Sequence, residues 1–263
     1  MQLYFVNGRH QLDAKAALIE GLDRHNALSL GPNVTACWSW RTGKRFRRMG
    51  RDVLILERGY IGDRFSYTSI GWNGLNGYAR FPHYADDGGD RFSRMGVEIE
   101  DWNPHGEYVL LIGQVKGDAS LRGQNLRHWY ADTARHARTV YNLPVRFRPH
   151  PEELKRGHST TVAGCETDLG KLRDALMGAA VVVTFNSNTA VESVLAGKPT
   201  VCMDAGSMAW TVCAHSLGDA PPRAREAWAH ALAWKQWTLD EIRNGDALIG
   251  IVNELKHGAL HYG

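Results

Sequence analysis

Residues 181–201, VVVTFNSNTAVESVLAGKPTV, set Asn186, Ser187 and Asn188 between an apolar run and a helical pattern. A buried strand ending on such a triplet delivers it to the start of the next helix. There the free backbone N–H groups and the positive end of the helix dipole favour an anion. Hydroxyl and amide side chains add donors without adding charge. Glu192 has two readings: with Thr189 it fits a capping box, or it lies one turn inside the helix and reaches the hydroxyls of a ribose. Asp118 follows another apolar run, so it is expected to project into a cleft between domains. A carboxylate there can attack an electrophilic carbon or take a proton from a hydroxyl, whereas the same residue at a helix N-cap needs no chemistry. His150 stands between Pro149 and Pro151, which restrict its backbone and fix its direction. It can donate to a leaving phosphate or simply complete a turn.

The elements that must position these groups alternate. Leu3 to Val6 is an apolar run closed by the turn signal Asn7-Gly8, and residues 13–25 read as a helix with Ala14, Ala17, Leu18, Gly21 and Leu22 on one face. Strands are expected at 34–38 and 53–56. Such alternation indicates a parallel sheet covered by helices, with ligands beyond the carboxyl ends of the strands. Glu57 and Arg58 stand at one such end, and Glu57 is the alternative catalytic base. Residues 59–105 break the rhythm with Gly, Asn, Asp, Tyr and Trp. A loop of that length is usually functional: Trp72, Asn73 and Asn76 suit an acceptor, against the plainer reading of a Gly-rich connection. A second α/β unit begins near Glu107, with strands at 108–113, 145–148, 181–184 and 200–203. Its first helix carries the stripe Leu126, Trp129, Tyr130, Thr133, Ala137 and Val140. The tail from 221 reads as helical, with a capping box at Thr238 and Glu241.

Three motifs occur in order: GQVKGDAS (113–120), RPHP (148–151) and FNSNTAVESVLAGKP (185–199). The series resembles the capsular polysaccharide β-Kdo transferases, over roughly residues 107–205. Gln114 and Asp118 match that family's first motif, His150 its basic-Pro-His-Pro motif, and Ser187 with Glu192 its helix start. The resemblance implies a GT-B-like fold, a CMP-activated sugar donor, no metal, and a nucleophile role for Asp118. Together with the physical reading of the residues it makes Gln114, Arg148, Asn186, Ser187, Asn188 and Glu192 the expected donor-binding set and Asp118 and His150 catalytic candidates; Glu57, outside the resemblance, is a further candidate from its place at a strand end. Residues 1–105 carry no such resemblance.

Composition narrows the field further. No apolar run approaches the roughly 18–20 residues that span a bilayer, and the start lacks the order of a signal peptide. Cys37, Cys165, Cys202 and Cys213 fall singly, without zinc spacing; a cytoplasmic protein without cofactor is expected. The absence of Asp-x-Asp, of a phosphate loop and of G-x-G-x-x-G weakens metal-dependent transferase, kinase and dehydrogenase readings. His128, Asp132 and His136 share a helical face, as metal ligands or, preferably, a solvated surface; the acids at 86–90 and 98–101 read as solvated loops. Residues 41–51, RTGKRFRRMGR, hold six Lys/Arg and no acid, after two tryptophans. Such a cluster can track a phosphate backbone or bind nothing. The expected architecture is α/β and GT-B-like: an acceptor domain (1–105), a donor domain (106–218) and C-terminal helices (219–263) packing back on the first, with the two domains facing across a cleft. The expected activity is sugar transfer from a nucleotide-sugar to a hydroxyl. The acceptor expected first is a hydroxymethylated pyrimidine in DNA, as in phage-type hypermodification, held by Arg45, Arg47, Arg48, Trp72 and Asn73. The alternatives are a transferase acting on a capsule or other surface glycan, and a nucleotide or nucleic-acid binder without catalysis. A cleft carboxylate at Asp118 separates enzyme from binder.

Overall fold

The computed structural model describes residues 1–5, 8–85, 87–158, 161–222 and 224–257. The expected strand end and turn at Val6 and Asn7, and the acid Asp86, lie outside the described residues. The chain divides into two units, Met1–Gly96 joined by the segment from His230 onward, and Val97–Ala229. Each contains a five-stranded sheet.

In the first unit the chain runs β1 (Gln2–Tyr4), α1 (Arg9–Arg24), β2 (Val34–Trp38), α2 (Trp40–Arg48), β3 (Asp52–Arg58), β4 (Thr68–Trp72) and α3 (Asp90–Ser93). Strands β1, β2 and β3 are parallel neighbours, and β4 returns antiparallel to β3 with Leu56 opposite Ile70. The helix α1 buries Ala14, Ala17, Leu18, Gly21 and Leu22, the face its periodicity marked. The stretch 59–105, expected to be irregular, therefore contributes a strand. Thr68, Ile70 and Trp72 are good strand formers, but glycines on both sides hid the alternation. All five residues of β4 are buried.

The second unit runs β5 (Tyr108–Ile112), α4 (Leu126–Tyr141), β6 (Val145–Arg148), α5 (Pro151–Lys155), β7 (Glu166–Thr167), α6 (Leu172–Gly178), β8 (Ala179–Thr184), α7 (Thr189–Leu195), β9 (Thr200–Cys202) and α8 (Glu226–Ala233), the last continuing past the boundary. Its order is β7-β6-β5-β8-β9, with every pairing parallel. From β5 the chain works outward through β6 and β7, then returns to the other side of β5 for β8 and β9. The order reverses between β5 and β8, and such a switch point opens a crevice beyond the carboxyl ends of the two strands. Most of the expected α4 stripe is covered, but Val140 is exposed.

After His230 the chain adds β10 (Gln236–Trp237), antiparallel to β4, then α9 (Leu239–Asn244) and α10 (Ile249–His257). Helix α9 packs on α1 at Gly21, where a Cβ would overlap the Ile242 carbonyl. Its capping box forms: Thr238 Oγ1 accepts from Glu241 N, and Glu241 Oε2 accepts from Thr238 N. The Arg91 guanidinium fastens this segment. It donates to the carbonyls of Ala233 and Gln236, pairs with both oxygens of Glu241, and lies 4.0 Å from the Trp237 ring centre. The expected divisions at 105/106 and 218/219 compare with observed ones at 96/97 and 229/230. Hydrogen bonds explain the shift: Glu100 N donates to Leu195 O, and Arg225 to the carbonyls of Val194 and Glu100, so both flanks belong to the second unit. Among the described residues no helix is long and apolar enough to cross a membrane.

Candidate active site

The crevice between β5 and β8 is built by two loops that hold each other. Gln114 follows β5 and Asn186 follows β8. Gln114 Nε2 donates to Asn186 Oδ1 at 2.8 Å, and Asn186 N donates to Gln114 Oε1 at 3.0 Å. Asn186 Nδ2 donates to Ser120 O at 2.9 Å and to Asp204 Oδ1 at 2.8 Å. Asn186 is only 3% exposed, so its amide is committed to protein partners. Both residues were expected to bind the donor. In the structure their side-chain amides clasp the 114–120 loop to the start of α7.

Asp118 rides on that clasped loop. Its Oδ1 accepts from Ser120 N at 2.8 Å and Ser120 Oγ at 2.6 Å, capping a single helical turn at 119–121. The side chain is exposed, and among the described residues Oδ2 accepts no hydrogen bond. One oxygen therefore fixes the carboxylate while the other faces solvent, an arrangement compatible with both capping and chemistry.

At the start of α7, Ser187 Oγ accepts from Thr189 N at 3.3 Å, and Ser187 N donates to Thr184 Oγ1. The helix begins at Thr189, and the residue before it, Asn188, makes no side-chain cap bond. Thr189 is thus inside the helix, and the capping box suggested for Thr189 and Glu192 does not form. Glu192 lies half-buried in the first turn.

The third motif face comes from β6. His150 caps α5, with Nδ1 accepting from Glu152 N at 3.1 Å. An Nδ1 acceptor places the ring proton on Nε2 in the neutral ring, the donor form a leaving phosphate requires. Arg148, expected to bind the donor, is paired with Asp168 at 2.5 Å, both side chains largely buried. Its charge is neutralised within the protein, so it can serve an anion only by sharing it with Asp168. Sequence reasoning missed Asp168, and also Glu153. Glu153 is 4% exposed and accepts from Lys116 N at 3.2 Å and from His158 Nδ1 at 2.8 Å. Burial opposes its charge, but hydrogen bonds from His158 and the Lys116 amide, with the neighbouring cations, hold its carboxyl below the ordinary glutamate range. A PEEL sequence signals only a helix start; the reach to Lys116 appears only in three dimensions.

The acceptor candidates lie in the first unit and fare differently. Trp72 is fully buried, and its Nε1 donates to Glu254 Oε2 at 2.5 Å. Asn73 Oδ1 accepts from Val53 N, and its Nδ2 donates to Asp52 Oδ1. Trp72 is core and unavailable to an acceptor, and half-buried Asn73 ties the end of β4 to the start of β3. Arg45 and Arg48 are exposed on α2, while Arg47 pairs with Asp52 at 3.1 Å. Glu57 is half-buried at the carboxyl end of β3. His128, Asp132 and His136 are exposed on α4, and among the described residues no three His, Cys, Asp or Glu side chains are grouped to share a metal ion. The acids near 98–101 are less solvated than expected, since Glu100 pairs with Arg173.

No family model and no curated protein matches the sequence. Solved structures do match. The β-Kdo 2,7-transferase of Thermosulfurimonas dismutans KpsC superposes with a TM-score of 0.61 at 15% identity, covering 94% of this chain and 99% of that one. The β-Kdo 2,4-transferase of the same protein gives 0.61 at 15% identity, covering 97% and 98%. The chain therefore has the mixed α/β, GT-B-type fold of these enzymes, and it resembles the capsular β-Kdo transferases in fold as well as in its three motifs.

Proposed function

We propose that this chain is a glycosyltransferase that holds a nucleotide-activated sugar beyond the carboxyl ends of β5 and β8 and transfers the sugar to a hydroxyl. The observation that carries the reading is the clasp at the switch point. Gln114 and Asn186 fix the Asp118 loop against the polar start of α7, so a carboxylate and a set of uncharged donors are held on one crevice. Fold likeness alone would not carry it, since one fold hosts many chemistries.

In this reading Ser187 and the backbone at the start of α7 bind the phosphate, and Glu192 the ribose. The bond between the anomeric carbon and the phosphate oxygen breaks, its electron pair leaving with the nucleotide. His150, with its proton on Nε2, donates to that oxygen. Asp118 Oδ2 either receives the acceptor's proton as the new carbon–oxygen bond forms, or bonds the carbon first and yields it to the acceptor in a second step, in which the acceptor's proton passes to the nucleotide's phosphate oxygen. The resemblance to the Kdo transferases favours the second route, and a metal-free donor site belongs to the same proposal.

DNA as the acceptor rests on the exposed basic residues of α2 alone, because Trp72 and Asn73 serve the fold. A binder without catalysis is favoured by one observation, the capping bonds of Asp118. Asp118→Asn decides between enzyme and binder. It preserves the cap to Ser120 but removes the charge. Turnover of nucleotide-sugars, followed by mass spectrometry of the products, is expected to fall about 10²–10⁴-fold, with donor affinity by calorimetry nearly unchanged. Full activity in this variant would remove Asp118 from the chemistry and move the search for a base to Glu57.

A further inference from the structure

Asp118 is delivered by a turn. Its N–H donates to Val115 O at 3.1 Å, and Gly117, third in the turn, has φ 71°, the backbone for which a type II turn takes glycine. The N–H of the second residue, Lys116, has no acceptor inside such a turn and must find one elsewhere. The clasp of Gln114 and Asn186 holds the loop only at its ends, at Gln114 and at the Ser120 carbonyl.

The acceptor for Lys116 N is Glu153 Oε1, at 3.2 Å. Glu153 belongs to α5, the helix that His150 caps, and its own N–H donates to His150 O at 3.0 Å. One residue thus bonds both the backbone of His150 and the turn that carries Asp118. The two catalytic candidates follow different strands, His150 after β6 and Asp118 after β5. Glu153 ties one to the other.

The carboxylate is itself held in place. Its Oε2 takes His158 Nδ1 at 2.8 Å, Arg156 Nη1 lies 3.5 Å from Oε1, and the residue is 4% exposed. The start of α5 has no need of it, since His150 Nδ1 already accepts from Glu152 N. A buried carboxylate persists where its bonds offset the loss of water, and here one of those bonds is spent on a loop outside its own helix.

We propose that Glu153 is a positioning residue for sugar transfer: through the Lys116 amide it sets where the Asp118 carboxylate stands relative to His150. The role in transfer rests on the reading proposed above; the anchoring of the turn does not.

The test compares three changes at this position. Glu153→Gln keeps an oxygen within reach of Lys116 N, Glu153→Asp keeps the charge but falls a methylene short, and Glu153→Ala removes both. Glu152→Gln, where the native carboxylate pairs with Lys155, controls for a change of charge on α5. Steady-state kinetics with a nucleotide-sugar, donor affinity by calorimetry and thermal midpoints are measured for each full-length variant. Glu153→Asp and Glu153→Ala are expected to lower kcat about 10–100-fold, as a misplaced catalytic group does, with KM and donor affinity little changed. Glu153→Gln should keep most of the rate and Glu152→Gln all of it. Glu153→Asp combined with Asp118→Asn should be no slower than Asp118→Asn alone, because Glu153 acts through Asp118. Amide exchange over residues 115–118 should accelerate in Glu153→Asp and not in Glu153→Gln.

Full kcat in Glu153→Asp would overturn the proposal. So would a loss in Glu153→Gln or Glu152→Gln as large as in Glu153→Asp, or losses that multiply in the double variant. Should Glu153→Ala fail to fold, the Asp and Gln variants still decide. A chain that turns over no nucleotide-sugar removes the transfer reading and the kinetic role with it. Faster exchange in Glu153→Asp alone then upholds the anchor, and unchanged exchange overturns it.

Discussion

The two sheets offer their carboxyl edges in different ways. In the second unit the strand order reverses between β5 and β8, so topology itself opens a crevice, and its loops are tied by neutral amide bonds. In the first unit β1, β2 and β3 follow one another without reversal, and antiparallel β4 and β10 extend the sheet. No switch point marks a site there. What stands at that edge is a cation between aromatic rings. The comparison teaches that a site made by topology needs neutral clasps to keep its loops in place. The cation at the other edge, Arg58, is met from within, by the His10 ring and by the charges of Glu57 and Asp63.

The largest effect on stability is expected where the first unit concentrates its own internal charge. Arg91 and Glu241 form a pair whose arginine is buried. Arg91→Ala leaves Glu241 Oε1 and two carbonyls without their donor, and breaking such a pair costs about 3–5 kcal/mol. Denaturant unfolding should register that loss, and amide exchange should accelerate through residues 236–244. Unchanged protection of that segment would mean that β10 and α9 are held by apolar packing alone.

A smaller effect sharpens the view of the second unit. Asn186→Ala exposes Gln114 and Asp204 to loss of their bonds, at about 1–3 kcal/mol for a buried group left unsatisfied. Gln114→Ala and the double variant complete a cycle, in which coupling of about 0.5–3 kcal/mol in stability is expected. Donor ligands would behave otherwise: nucleotide affinity would fall while stability held, with no coupling in unfolding.

The smallest effect on stability belongs to α2. Arg45→Gln with Arg48→Gln should move unfolding by no more than about 0.5 kcal/mol, as exposed substitutions usually do. If DNA engages this helix, oligonucleotide affinity falls steeply with salt in the unmodified chain and less steeply in the variant. Affinity that is undetectable or indifferent to salt would end the DNA reading.

Local patterns in the sequence determined much of this molecule. The apolar runs of β2, β3, β5, β6 and β8, the stripe of α1 and the cap at Thr238 each depend on neighbours within a few residues, where helical and strand periodicities act. The polar triplet at 186–188 and the cap at Asp118 were legible for the same reason. Tertiary structure alone decided what those groups face. Gln114 and Asn186 are 72 residues apart in sequence and meet because β5 and β8 are neighbours; His10 and Arg58 are 48 apart. Trp72 read as a loop residue until the pairing of β4 with β3 carried it into the core. A side chain's type fixes the bonds it can make, and only the arrangement of strands fixes which partner it finds.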